Sequence, residues 1–155
     1  MGPRIEHYLR EHDIPFRVHH HAPIVTFEDA KATLSFDPGL LVKGLALAMP
    51  TGQTAIVALR AVDRAQYKKI ADALEVRRDD LRMATEDELA ALDMEVGAVA
   101  PIPLPNAVVL VDEAVMDLDL VVCGTGRREA SLELAAEDFA RLPVHAIGDF
   151  RKTTS

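Results

Sequence analysis

Tryptophan is absent from this chain and only 5% of its residues are aromatic, so its core has to be built from aliphatic side chains. There is one cysteine, Cys123, which excludes an internal disulfide. Set against Val121 and Val122, it reads as a buried structural thiol and not a nucleophile. Positive charge is also scarce. Seventeen Lys and Arg face 25 Asp and Glu, a net −8 that argues against broad, non-specific nucleic-acid binding and against DNA as a partner. No apolar run approaches the roughly 20 residues needed to cross a bilayer, so no membrane partner is expected. The N-terminus lacks the apolar stretch of a secretory signal, and Pro3 with no Ser or Thr at position 6 spoils the myristoylation pattern. The expected location is cytoplasmic. Gly-x-Ser-x-Gly, Walker and Gly-x-Gly-x-x-Gly motifs are missing, as are internal repeats, low-complexity tracts and an interdomain linker.

What is present describes one globular domain over residues 1–155, with 49% hydrophobic and 27% charged residues and a tail, 151–155, expected to fray. A chain of this length buries roughly two-thirds of the surface it exposes when unfolded. Ile5, Tyr8 and Leu9 predict a helix over residues 4–12, and Phe16 to His20 predicts a strand. Thr26 and Asp29 form a capping-box pattern for a helix over 27–34, and Thr85 and Glu88 form another for a helix ending near Leu92. Pro38-Gly39 predicts a turn, and Thr51-Gly52 joins the apolar 39–49 strand to a partner at 55–59. A helix is expected over 64–74 and another over 135–142. Strands are expected over 107–112, 118–123 and 130–134, the last two joined through Gly124-Thr-Gly-Arg-Arg128. Interspersed in this way, the elements predict an α+β fold: a mixed, largely antiparallel sheet or partial barrel surrounded by short helices.

Lys43 stands out because it is the one charge in Gly39–Met49. On a strand, alternation places Leu41, Lys43, Leu45, Leu47 and Met49 on one face. An ammonium there must reach water, meet an anion or lose its proton. Its stem could snorkel, its charge could guard an edge strand, or it could hold an anionic substrate at a pocket mouth. Gly97-x-x-x-Pro101 precedes a buried strand, where glycine permits close backbone approach and exposed peptide dipoles can hold a water or an oxyanion. His19 and His21 share a strand face but lack further ligands at metal-binding spacing, so neither metal nor cofactor is expected. The acidic pairs Asp79-Asp80 and Asp112-Glu113 read as solvated carboxylates at element ends. Arg60, Arg64, Lys68, Lys69, Arg77 and Arg78 crowd into nineteen residues, and Arg127-Arg128 form a second basic cluster. Both read as solvated faces that could also meet phosphates.

Val25-Thr-Phe-Glu-Asp-Ala30, Leu41-Val-Lys-Gly-Leu45, Gly97-Ala-Val-Ala-Pro101, Val109-Leu-Val-Asp-Glu113 and Cys123-Gly-Thr-Gly126 occur in that order. Together they resemble the YbaK/prolyl-tRNA-synthetase editing-domain family across nearly the whole chain. That resemblance implies a metal-independent deacylase that hydrolyses the ester of a small amino acid from the 3′ end of mischarged tRNA. It implies the tRNA acceptor end as a partner, and possible work alongside an aminoacyl-tRNA synthetase. It assigns catalysis to Lys43, as anchor of the terminal adenosine phosphate and aminoacyl end, and to Gly97 and Pro101, whose loop backbone positions the hydrolytic water. It assigns substrate contacts to Thr26, Ala98, Val99, Ala100, Asp112 and Gly124. Ala98 and Ala100 depart from the Gly and Ser of many relatives, and Ala100 removes a donor. An activated ester needs positioning and oxyanion stabilisation more than a strong protein nucleophile, which fits the missing Ser-His-Asp set. Two rival readings are a non-catalytic tRNA- or synthetase-binding module and a protein that binds or hydrolyses another nucleotide-like ligand.

Overall fold

The computed structural model describes residues 1–153. Helix α1 (Pro3–Glu11) begins with proline in its first turn, where the missing N–H costs nothing, and buries Ile5 and Leu9. Strand β1 (Arg17–His20) follows, then α2 (Phe27–Thr33). Both capping boxes form. Thr26 Oγ1 accepts from Asp29 N at the start of α2, and Thr85 Oγ1 accepts from Glu88 N at the start of α4 (Glu86–Ala91). In each case the acidic side chain bonds back to the N-cap backbone, at about 1 kcal/mol per cap.

The hydrophobic strands assemble into two sheets. The first is antiparallel, in the order β1, β7 (Ala130–Ala135), β6 (Leu120–Gly124). The second places β2 (Val42–Ala48) beside β3 (Thr54–Arg60) as an antiparallel hairpin, with β4 (Arg82–Met83) on the far edge of β2. Beyond β3 the pairing turns parallel, to β5 (Ala107–Asp112) and then β8 (Ala146–Gly148). A parallel bridge from Leu41 to Val122 ties the sheets together. The expected mixed fold with short surrounding helices is therefore what forms. The parallel β3–β5–β8 half is the part that local patterning did not indicate.

β3 is buried along nearly its whole length because both faces are covered, which explains its continuous apolar run. One face of the central sheet joins Val42, Ala46, Ile56 and Val109 to α1 and Phe139. The other joins Leu47, Val57, Leu59 and Leu110 to α3 (Tyr67–Leu74), through Ile70, Ala71 and Leu74.

Several boundaries differ from expectation for identifiable reasons. α3 starts at Tyr67 and not at 64, because Gln66 N donates to Phe150 O and Ala65 bridges Arg151. The expected fraying at 151 is corrected by the same contacts. Arg151 Nε lies 3.0 Å from Asp112 Oδ1, and Lys152 N donates to Arg64 O; residues 154–155 lie outside those described. The helix expected over 135–142 is a 3-10 helix, Ala136–Arg141. The Pro38-Gly39 turn is a single 3-10 turn whose Gly39 N donates to Asp37 Oδ1. Leu41 precedes β2 and packs with Ala30 and Val122, so it leaves the face that Lys43 shares with Leu45, Leu47 and Met49.

Candidate active site

The loop running from α4 to β5 reaches the open N-terminal half of β2, where β4 no longer pairs. Gly97 adopts φ +83°, a left-handed conformation that other residues resist. A Cβ there would lie 2.9 Å from both Cα and O of Val25, so Gly97 lets the loop press against the segment leading into α2. Across the gap, a Cβ on Gly124 would collide with the carbonyl oxygens of Ala98 and Val99, and one on Gly44 would meet Val99 Cγ1 at 2.9 Å. Three glycines from distant parts of the chain thus let Ala98-Val99 nestle between β2 and β6. Ala98 is fixed further, donating to Glu95 O and accepting from Gly126 N at 2.8 Å. Among the described residues, the Val99 N–H has no backbone acceptor.

These contacts enclose a cavity of about 370 Å³. Thr26, Lys43, Gly97, Val99 and Gly124 all line it, drawn from four separate segments. Its remaining wall is largely aliphatic, with Leu41, Ala46 and Val122 among the contributors, while Val25, Met83 and Val96 stand exposed where it opens. Cys123 also borders it, but burial pushes its thiol up to about 12, so it offers no thiolate.

Lys43 is exposed, and its ammonium donates to the main-chain oxygen of Asp63. Its pKa is lowered, chiefly because its charged end is partly withdrawn from water; the Asp63 carboxylate opposes the shift and Arg64 adds to it. Thr26 Oγ1 accepts from Asp29 N at 3.1 Å, which fixes the residue at the cavity wall.

Four of the expected site residues are placed elsewhere. Ala98 and Pro101 are buried behind the wall, and Ala100 lies in the main hydrophobic cluster with no exposed surface. Asp112 needs the clearest correction: it is neither a solvated carboxylate nor part of the cavity wall. It has no exposed surface, caps the short helix α5 (Glu113–Met116) through Ala114 N, accepts from Phe150 N at 2.8 Å and faces Arg151. It anchors the chain after β8. His19 and His21 are engaged by β7, with Nε2 atoms 3.2 Å from Glu133 Oε1 and 2.7 Å from Ser131 Oγ. Among the described residues no three His, Cys, Asp or Glu side chains converge. The Arg127-Arg128 cluster is also internal in role. Arg127 Nη2 lies 2.6 Å from Asp93 Oδ1, and Arg128 bonds Glu95 and Val96 O, holding the stretch that leads into Gly97.

Residues that local reading missed, such as Ile24, Ala61 and Met83, line the cavity only because separate segments meet there. No spacing signal in the sequence marks them.

The family model for the aminoacyl-tRNA editing domain matches residues 21–142, a span that contains the whole cavity. The chain belongs to this family. No curated protein sequence matches it. Among solved structures, the hypothetical protein APE2540 superposes with a TM-score of 0.82 at 23% identity, over 96% of this chain and 99% of that one. A protein described as a candidate trans-editing enzyme for prolyl tRNA synthetase gives a TM-score of 0.80 at 20% identity, covering 98% of this chain and 97% of the other. The editing-domain fold also resembles part of a candidate signal transduction protein from Marinobacter aquaeolei, at TM-score 0.69 and 22% identity. There 99% of this chain covers 31% of the longer one. At these identities the likeness is one of fold.

Proposed function

We propose that this editing-domain protein is a trans-acting deacylase that hydrolyses the ester of a small amino acid at the 3′-terminal adenosine of mischarged tRNA. The observation that carries this reading is the cavity, in which Thr26, Lys43, the Gly97–Val99 loop and Gly124 converge from four separate parts of the chain. Lys43 at the opening suits a phosphate of the terminal nucleotide, and the aliphatic wall suits a small side chain. The unpaired Val99 N–H is the donor we assign to the developing oxyanion. Water attacks the ester carbonyl, the ribose oxygen leaves with a proton, and a free amino acid and intact tRNA result. No protein nucleophile is needed, because the ester is already activated and positioning dominates the barrier. Such proofreading is useful because a synthetase pocket gains only about 1–3 kcal/mol per methylene when it chooses between similar amino acids. A cytoplasmic location and a synthetase partner belong to the same proposal.

Ala100 does not weigh against hydrolysis, since its side chain lies in the core and not in the cavity wall. The rival reading, a binding module without turnover, draws on the use of this fold within a longer candidate signal transduction protein. A deacylation screen over a panel of mischarged tRNAs separates the two. Release of a small amino acid supports the enzyme. Protection of every ester against spontaneous hydrolysis would make the protein a binder.

A further inference from the structure

A second depression, of about 330 Å³, adjoins the first and shares Lys43 and Gly44 with it. Its wall includes Arg64, Tyr67 and Lys152 and no acidic side chain, in a protein whose net charge is −8. The cations around it divide sharply. Arg60, Lys69 and Arg151 are each held by an aspartate, at 2.8, 2.8 and 3.0 Å. Among the described residues, Lys43, Arg64 and Lys152 make no ion pair, and all three line this pocket.

The fold assembles this group on purpose-built backbone contacts. Lys152 N donates to Arg64 O and Ala65 bridges Arg151, which brings the end of the chain beside the start of α3. The Tyr67 ring, half-buried at the pocket, has the Arg78 guanidinium 4.7 Å from its centroid. Unpaired cations beside an aromatic ring and a guanidinium plane are the chemistry that tracks a single-stranded nucleic acid: phosphates meet the charges and bases stack on the planes.

We infer that this pocket binds the phosphodiester and base immediately preceding the terminal adenosine, so that a single-stranded RNA 3′ end crosses β2 at Lys43. The inference rests on the deacylase reading for its direction, since the ester-bearing nucleoside occupies the larger cavity and the strand leaves through the smaller one. A basic track only a few residues wide also reconciles an acidic protein with an RNA substrate. It grips the terminal nucleotides and leaves the duplex alone.

The test pairs binding with turnover in the full chain, using Lys152→Ala and Arg64→Ala, both at exposed positions. Fluorescence anisotropy with a labelled single-stranded RNA ending in CCA is expected to show at least a fivefold loss of affinity for each variant. The slope of log K against log salt should become shallower by about 0.7 per lost contact. Turnover is compared on an aminoacylated RNA minihelix and on 3′-O-aminoacyl-adenosine, which carries the same ribose ester without the strand. For Lys152→Ala, KM should rise on the minihelix with kcat held, and hydrolysis of 3′-O-aminoacyl-adenosine should be unchanged. Unaltered affinity and slope in both variants overturn the inference, as do equal losses on the two esters. Displacement of the strand by 5′-AMP as efficient as by unlabelled RNA also overturns it, in favour of a free-nucleotide site. If the wild-type protein hydrolyses neither ester but binds the strand in an Arg64- and Lys152-dependent way, the deacylase reading fails and the strand site stands.

Discussion

Lys43 joins the two pockets, and its geometry separates a structural role from a functional one. Its ammonium has only a carbonyl partner, and the residue is exposed, so little of the fold depends on it. Lys43→Ala should therefore leave the melting temperature within about 2 °C of wild type. Deacylation should fall at least about tenfold, equal to roughly 1.4 kcal/mol of transition-state stabilisation. Lys43→Arg should rescue poorly, because a planar fork does not replace a compact ammonium. Partial withdrawal from water lowers the lysine's pKa, and a lysine is charged below its pKa. The wild-type KM should accordingly begin to rise with pH before the ordinary lysine range is reached, and the Ala variant should lack that rise. A destabilised Ala variant with full activity per folded molecule would return Lys43 to scaffolding.

At the scale of single elements, the loop before β5 and the cap of α4 make separate predictions. Any Cβ at Gly97 meets the Val25 backbone, and φ +83° is strained for other residues. The close approach expected of this glycine is thus to a neighbouring segment as well as to the cavity. Gly97→Ala should lower stability by about 1–3 kcal/mol and displace the Thr26 side of the wall, reducing turnover as well. Unchanged urea unfolding and unchanged kcat/KM would show that the two segments are not in register. At the start of α4, Arg82 of β4 donates to both carboxylate oxygens of Glu88, at 2.7 and 3.0 Å, and Thr85 N donates to it as well. The Arg82 bonds, followed by the Thr85 bond, hold the Glu88 carboxyl at about 2. Its folded value is depressed, so its stabilisation is complete above an ordinary value of 4.5 and is lost as pH falls through about 2. Thermal melts between pH 5 and 2 should show a steeper decline for wild type than for Glu88→Gln. Parallel curves would remove Glu88 from the acid response.

The whole molecule is built around a cavity between two sheets, and the chemistry proposed for it is that of a positioned ester. Exhaustive EDTA treatment should leave turnover intact once magnesium needed by the tRNA itself is restored. The ground is the expectation that the loop backbone supplies the electrostatics. Loss of activity reversed by zinc alone would overturn this. The glycines at 44, 97 and 124 act at this scale too. Each removes a side chain where the loop before β5 must touch a neighbour, β2 at Gly44, β6 at Gly124 and the segment before α2 at Gly97, and the cavity exists because they can touch.

By itself the sequence determined the local features that depend on near neighbours. The capping boxes at Thr26 and Thr85, the β2–β3 hairpin and the buried run of β5 were all legible, because each is set by spacing or alternation within a few residues. The ordered motifs also marked Lys43, Gly97 and Gly124, which the fold brings to one cavity. Only the tertiary structure decided what each motif residue does. Asp112 lies in a motif yet serves the chain after β8, and Ala100 lies in the Gly97 loop yet faces the core. The two-residue β4, the three-residue β8 and the four-residue α5 are too short to carry periodicity, and the parallel pairing of β5 with β3 and β8 depends on partners far along the chain. The same holds for the Arg64–Lys152 pairing of charges. Their distance in sequence is closed only when the end of the chain docks beside α3, and no local pattern encodes that closure.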